Sequence, residues 1–289
     1  MDFKNAAELL NLCREHHMLI SDVMKERECS LGETDMDTVC GRMGHVLEVM
    51  RQSAYSAVET SGRSMGGLIG GEAKKLSDYR AQGKSLCGNV LGKAISYAMG
   101  VLEVNASMGL IVAAPTAGSS GIVPGLLLAL QEEYDIPDGQ VSDALFNAGA
   151  IGYLAMRNAT VAGAVGGCQV EVGVASAMAA SAAVELMGGT PEQSLDAAGT
   201  VLMNMLGLVC DPVGGLVEYP CQNRNASGAA NALIAAEIAL SGVKQLIPFD
   251  EMIAAMYTVG KRMPAELRET ALGGCAATPS GCSRCAVKR

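Results

Sequence analysis

Cys168, Cys210 and Cys221 stand in glycine-rich surroundings, Gly-Gly-Cys168-Gln-Val-Glu and Cys210-Asp-Pro-Val-Gly-Gly-Leu-Val-Glu-Tyr-Pro-Cys221. Three thiolates brought to one point can hold an iron–sulfur cluster and leave one iron without a protein ligand. Such an iron is a Lewis acid that can polarise a hydroxyl. The intervals between the three are wider than cluster motifs usually show, and spacing alone favours ordinary buried thiols. Local context points the other way, because each cysteine adjoins glycine, proline or an acidic residue rather than an aliphatic stripe.

Other residues with chemical potential are less coherent. Cys282-Ser-Arg-Cys285 is a single C-x-x-C pair near the end of the chain; without a second pair it is no zinc ribbon, and it reads as a redox pair, a tail ligand or a structural pair without function. Cys13, Cys29, Cys40 and Cys87 have no partners in their contexts and read as buried small hydrophobes. Gly83-Lys84-Ser85 ends like a phosphate-binding loop, but the position that needs the earlier glycine is Asp78. Ser85, Gly88 and Asn89 lack a lysine in the context a pyridoxal-phosphate segment requires. His16, His17 and His45 fall in charged helical stretches, so a histidine-based triad from this chain alone is not expected.

These groups must be positioned by helices. The 289 residues are 49% hydrophobic but only 3% aromatic, without tryptophan, so the core must pack on Ala, Leu, Val, Ile and Met. Thr34 and Asp37 suggest a capping box ahead of an apolar stripe from Met36 to Met50. Thr190-Pro191-Glu192-Gln193 is a clearer helix start, followed by Leu195, Ala198, Leu202 and Met205. Ala226 to Leu240 reads as an alanine-rich helix ending near Gly242, and another helix starts at Asp250 and stops by Pro264. Alternating strand segments are scarce. The fold class is therefore mainly α, a single helical catalytic domain over residues 1–289, with a helical layer at 1–60, a body at 61–274 and a cysteine-containing tail at 275–289.

A net charge of −9 argues against nucleic acid as a partner. The start lacks a signal peptide, and the apolar stretches are interrupted by Pro115, Ser119, Pro124, Gln169, Glu171 and Glu185, so no membrane span and a cytoplasmic location are expected. Ten cysteines without a secretory signal suit metal ligands or buried thiols rather than a disulfide framework.

Three loops interrupt the helices: Gly62 to Gly71, Ala114 to Gly121, and Cys210 to Cys221. Glycine and serine ahead of a helix expose backbone N–H donors that suit a carboxylate or phosphate, whereas the plainer reading is a turn or a tight helix crossing.

Over essentially its whole length the chain resembles the α chain of bacterial iron–sulfur L-serine dehydratase. The resemblance is carried by Ser64-Met65-Gly66-Gly67, Ala114-Pro115-Thr116-Ala117-Gly118-Ser119, Gly167-Cys168, Cys210-Asp-Pro-Val-Gly-Gly-Leu-Val217, Pro220-Cys221-Gln222-Asn223-Arg224-Asn225 and Ala276-Ala-Thr-Pro-Ser-Gly281. It implies that Cys168, Cys210 and Cys221 ligate a 4Fe–4S cluster, and that serine is dehydrated to pyruvate and ammonia without pyridoxal phosphate. Ser64, Met65, Gly66, Gly67, Thr116, Ala117, Gly118 and Ser119 are the expected substrate-binding residues. The family's Gly-Pro-Ser-Ser-Ser-His-Thr-like segment is absent here, which implies a β chain as partner, in a heterodimer or larger assembly, with the catalytic base supplied by that chain. Some relatives end on a cysteine that could cap the iron; here Cys275, Cys282 and Cys285 compete, with Cys282 or Cys285 the candidate tail ligand. Rival readings are a related iron–sulfur lyase acting on cysteine or threonine, a non-catalytic iron–sulfur redox or sensor module, and a helical scaffold whose thiols hold no metal.

Overall fold

The computed structural model describes residues 1–60 and 62–284. Its helices, in chain order, are α1 (Ala6–His16), α2 (Ile20–Gly32), α3 (Met36–Glu59), α4 (Glu72–Ala81), α5 (Gly88–Ala106), α6 (Ile122–Tyr134) and α7 (Asp138–Asn158). They continue with α8 (Gly163–Gly166), α9 (Val172–Leu186), α10 (Pro191–Asn204), α11 (Cys221–Leu240), α12 (Phe249–Arg262) and α13 (Pro279–Ser283). Among the described residues there is no strand, only an isolated bridge between Cys210 and Arg268. The expectation of a mainly α-helical domain holds.

Composition explains the packing. Every residue of α9 from Val172 to Val184 is buried, as is every residue of α6 from Ile122 to Leu130. A helix apolar on all sides must sit inside others, and α9 is enclosed by α6, α7, α10 and α11. Small side chains let the backbones close up: a Cβ on Gly125 would lie 2.8 Å from the Ala94 carbonyl on α5. Helix α3 contributes Leu47, Met50 and Ala54 to this same core, so the segment 1–60 is continuous with the body. No helix among the described residues is long and apolar enough to cross a membrane.

Helix starts match the sequence where the cap is local. Thr190 caps α10 reciprocally with Gln193, with Pro191 at the first helical position. For α3 the cap is Asp35, one residue beyond Thr34, because its carboxylate accepts from Thr38 N (2.7 Å). Helix α11 starts at Cys221, five residues ahead of the alanine-rich run. Asp250 lies inside α12, which starts at Phe249, and its carboxylate serves another helix: it accepts from Ala6 N and Ala7 N at the start of α1. Glu185 likewise accepts from Ile20 N and Ser21 N of α2, and the buried Glu103 from Gly71 N and Ala73 N of α4. A carboxylate at a helix N-terminus satisfies orphan donors and the helix dipole. Here distant segments supply it.

The remaining cysteines divide. Cys13 is buried, and its thiol is pushed up to about 12 by burial and nearby carboxylates. Cys29 and Cys40 are only half-buried, and Cys87 is exposed at the start of α5, so the expectation of four buried thiols holds for Cys13 alone.

Candidate metal centre

Each of the three cysteines sits at a break in helical structure. Cys168 opens a 3-10 turn behind Gly167, whose φ is 74°. A Cβ on Gly167 would lie 2.8 Å from both the Leu208 carbonyl and Met263 Sδ, so glycine is required by conformation and by space. Cys210 lies in the bridge to residues 267–269, donating its N–H to Leu267 O (2.9 Å) and accepting from Glu269 N (2.7 Å). Cys221 is the first residue of α11. All three are buried, at 4%, 3% and 7% exposure.

Their side chains line one cavity of about 210 Å3, together with Thr116, Gly118 and Glu171. Cys168, Glu171 and Cys210 form the tightest group, with ligating atoms within 4.8 Å of one another. Cys221 lies outside that limit but on the same wall. The Cys168 sulfur and burial hold the Cys210 thiol well above its ordinary range; burial pushes Cys221 up to about 12. Loading a metal must therefore displace thiol protons.

Glu171 was not singled out as a site residue by sequence, although an acid three residues after a glycine-flanked cysteine, inside an apolar stretch, is the signal that could have marked it. Its Oε1 accepts from Thr116 Oγ1 (2.9 Å), and its Oε2 faces the Cys210 thiol (3.8 Å). Burial raises the Glu171 carboxyl above the usual carboxylate range, against the pull of the Thr116 hydrogen bond. Thr116 also contacts Ser119 Oγ (3.1 Å), and Ser119 is fully buried. Among the described residues, the N–H groups of Ala117 and Gly118 have no internal acceptor, and both residues line the cavity.

The first glycine loop faces elsewhere. Ser64 Oγ (2.7 Å), Gly66 N (2.6 Å) and Leu68 N (2.9 Å) all donate to the carboxylate of Glu218, a residue 3% exposed on the loop between Cys210 and Cys221. Gly67 N and Ile69 N donate to Ser64 Oγ (3.1 and 3.3 Å). Met65 is exposed. The loop is thus a clasp for an internal carboxylate and ties α3–α4 to the cysteine loop.

On the tail, Cys275 N donates to Asp211, and Cys275 lines a neighbouring groove of about 530 Å3 with Gly67, Tyr219 and Arg284. Cys282 is exposed, its Sγ 3.4 Å from Ala276 O, and it does not line the cysteine cavity; Cys285 lies outside the described residues. None of the three histidines lines that cavity.

Fold and site define a helical domain built around a thiol-lined centre suited to a metal. The sequence matches the serine dehydratase alpha chain family over residues 15–276, and the chain belongs to that family. It is 51% identical over 279 residues to the probable L-serine dehydratase alpha chain of Bacillus subtilis strain 168, covering 96% of this chain and 93% of that one. It is 46% identical over 276 residues to the L-serine dehydratase alpha chain of Peptoniphilus asaccharolyticus, covering 96% and 94%. A protein of Helicobacter pylori strain J99 named L-serine dehydratase is 36% identical over 286 residues, which cover 96% of this chain but 62% of that protein.

Proposed function

We propose that this chain is the α chain of an L-serine dehydratase that converts L-serine to pyruvate and ammonia, with a 4Fe–4S cluster held by Cys168, Cys210 and Cys221. The observation that carries the proposal is the convergence of three buried cysteines, from three separate breaks in the helices, on one cavity. The donor set fits: thiolates are the usual cluster ligands. The cavity is also far larger than the ~10–15 Å3 that admits a single water. When bound, such a cluster supplies a Lewis-acidic iron that weakens the bond between the substrate's β-carbon and its hydroxyl.

The chain's own residues account for binding and orientation. Ala117 and Gly118 line the cavity, and their N–H groups, without an acceptor among the described residues, suit the substrate carboxylate; Thr116 turns its hydroxyl to Glu171, and the fully buried Ser119 supports Thr116 from behind. Glu171, held by Thr116, keeps a carboxylate on the same wall, where it can take the substrate ammonium. In this reading Ser64 to Gly67 serve the substrate indirectly, by fixing the cysteine loop through Glu218. Loss of the Cα proton and the β-hydroxyl as water gives an enamine; its imine tautomer reacts with water and releases ammonia.

A β chain completes the enzyme. Support comes from the relatives named as alpha chains and from the longer Helicobacter pylori protein, whose extra length is what a separate partner would supply. The base that takes the Cα proton is assigned to that partner, and the assembly to the cytoplasm.

The test is iron and sulfide analysis of the anaerobically purified two-chain complex, with 2-oxo acid formation assayed: pyruvate from L-serine and L-cysteine, 2-oxobutyrate from L-threonine. Equal iron and sulfide with serine turnover is expected. A protein without iron, or turnover of serine that survives loss of all iron, overturns the proposal; a preference for threonine or cysteine redirects it to another lyase. Thr116→Ala should raise KM or lower kcat with iron content intact. Loss of iron in that variant would make Thr116 a folding residue.

A further inference from the structure

One cation touches all three cysteine segments. Arg224 lies on α11 one turn beyond Cys221, and its Nη1 reaches Cys168 Sγ (3.6 Å), Val209 O (2.8 Å) and Asp211 Oδ1 (2.7 Å). Val209 and Asp211 flank Cys210. The Arg224 side chain is 15% exposed and that of Asp211 2%, so the group is shielded from solvent. Asp211 uses its other oxygen on Cys275 N.

We propose that Arg224 is a positioning residue for the metal centre: it fixes Cys168 and the Cys210 segment against α11 and sets a permanent positive charge beside the Cys168 sulfur. The proposal rests on the cluster reading above. Hydrogen bonds to ligand sulfurs and local charge set a cluster's reduction potential, and groups behind the ligands govern how firmly it is kept. The guanidinium plane fixes Nη1, which donates to a carbonyl and a sulfur and pairs ionically with the Asp211 carboxylate; an ammonium keeps the charge but not that fixed plane. Asp211 offsets the cost of burying the cation, and because it also holds Cys275 N, the same pair links the start of the tail to the centre.

The experiment compares the parent complex with Arg224→Gln and Arg224→Lys, all purified anaerobically as full chains. The readouts are the cluster midpoint potential, measured by redox titration of its visible absorbance, and iron release to a competing chelator. Arg224→Gln should shift the midpoint to more negative values and weaken iron retention about 10–100-fold. Arg224→Lys should hold the midpoint near that of the parent while releasing iron faster than the parent. If Arg224→Gln keeps both parent values, the proposal fails. It fails equally if iron is lost but the cluster that remains titrates at the parent potential, because a purely structural arginine would do that. Should Arg224→Gln not fold, Arg224→Lys decides alone, and parent-like iron release overturns the proposal. A parent that binds no iron and sulfide fails the cluster reading itself, and the two failures are thereby told apart.

Discussion

Replacing Glu218 by glutamine tests whether the first glycine loop is a clasp for an internal carboxylate. In the wild type, Oε1 accepts from Gly66 N, and Oε2 accepts from Ser64 Oγ and Leu68 N, in a site 3% exposed. Glutamine keeps one oxygen, which can still serve Ser64 and Leu68. Its amide group then faces the Gly66 N–H, donor against donor. One buried N–H left without a partner costs about 1–3 kcal/mol, and turning two charge-assisted bonds into neutral ones costs about 1 kcal/mol each. The sum is about 3–5 kcal/mol. At about 2–4 °C per kcal/mol for a chain of this size class, Tm should fall by roughly 6–20 °C. Differential scanning calorimetry of the metal-free chain measures this without interference from cluster loss. A fall under about 2 °C would refute the clasp and return the loop's donors to some other ligand.

Acidity offers an independent check at Glu185. Burial raises its carboxyl above the ordinary value, against hydrogen bonds from Ser21 and Asn147. The native state therefore binds this proton at higher pH than the unfolded chain does, so the group's contribution to stability falls as pH rises from the unfolded value near 4.5 through the raised folded value. The Tm of the wild type minus that of Glu185→Gln should increase on acidification from pH 7 toward that lower limit; a constant difference would contradict the assignment. Gly167→Ala should destabilise by about 3 kcal/mol or more, since the new methyl meets the Leu208 carbonyl at a positive φ. The shift of Cys168 that follows should reduce iron in the purified complex, and full stability with full iron would count against the geometry.

The helical class was legible because helix starts such as Thr190-Pro191-Glu192-Gln193 carry their own caps, and the cap seen at Thr190 is the one the spacing indicates. At α3 two acceptors compete within a turn, and Asp35 takes the role Thr34 suggested, a choice that depends on backbone angles rather than residue type. The start of α11 was hidden for a different reason. Gln222, Asn223, Arg224 and Asn225 look like loop residues, yet Gln222 and Asn225 are buried and bonded to other segments, Gln222 to Glu103 and Asn225 to Gly121 N. The cysteines were visible from their glycine and proline neighbours. Glu171, Asp211, Glu218 and Arg224 had no site role in the sequence because each acquires its partner only through tertiary contact: the acid three residues after Cys168 marks a candidate, but its role rests on Thr116, 55 positions earlier, turning its hydroxyl toward it.

Synthesis on the ribosome proceeds from the amino end, and that order bears on the borrowed carboxylates. The oxygens that close the start of α1 belong to a residue 244 positions later, and those for α2 to one 165 positions later. While the chain is still emerging, the amide hydrogens of Ala6, Ala7, Ile20 and Ser21 have only water to accept them, although Asn5 already caps Glu8 N locally. Until then α1 and α2 are nascent helices lacking these contacts, and the acceptor of α2 is translated before that of α1. A ribosome stalled before residue 250 would thus hold a polypeptide in which α1 relies on its local Asn5 cap alone.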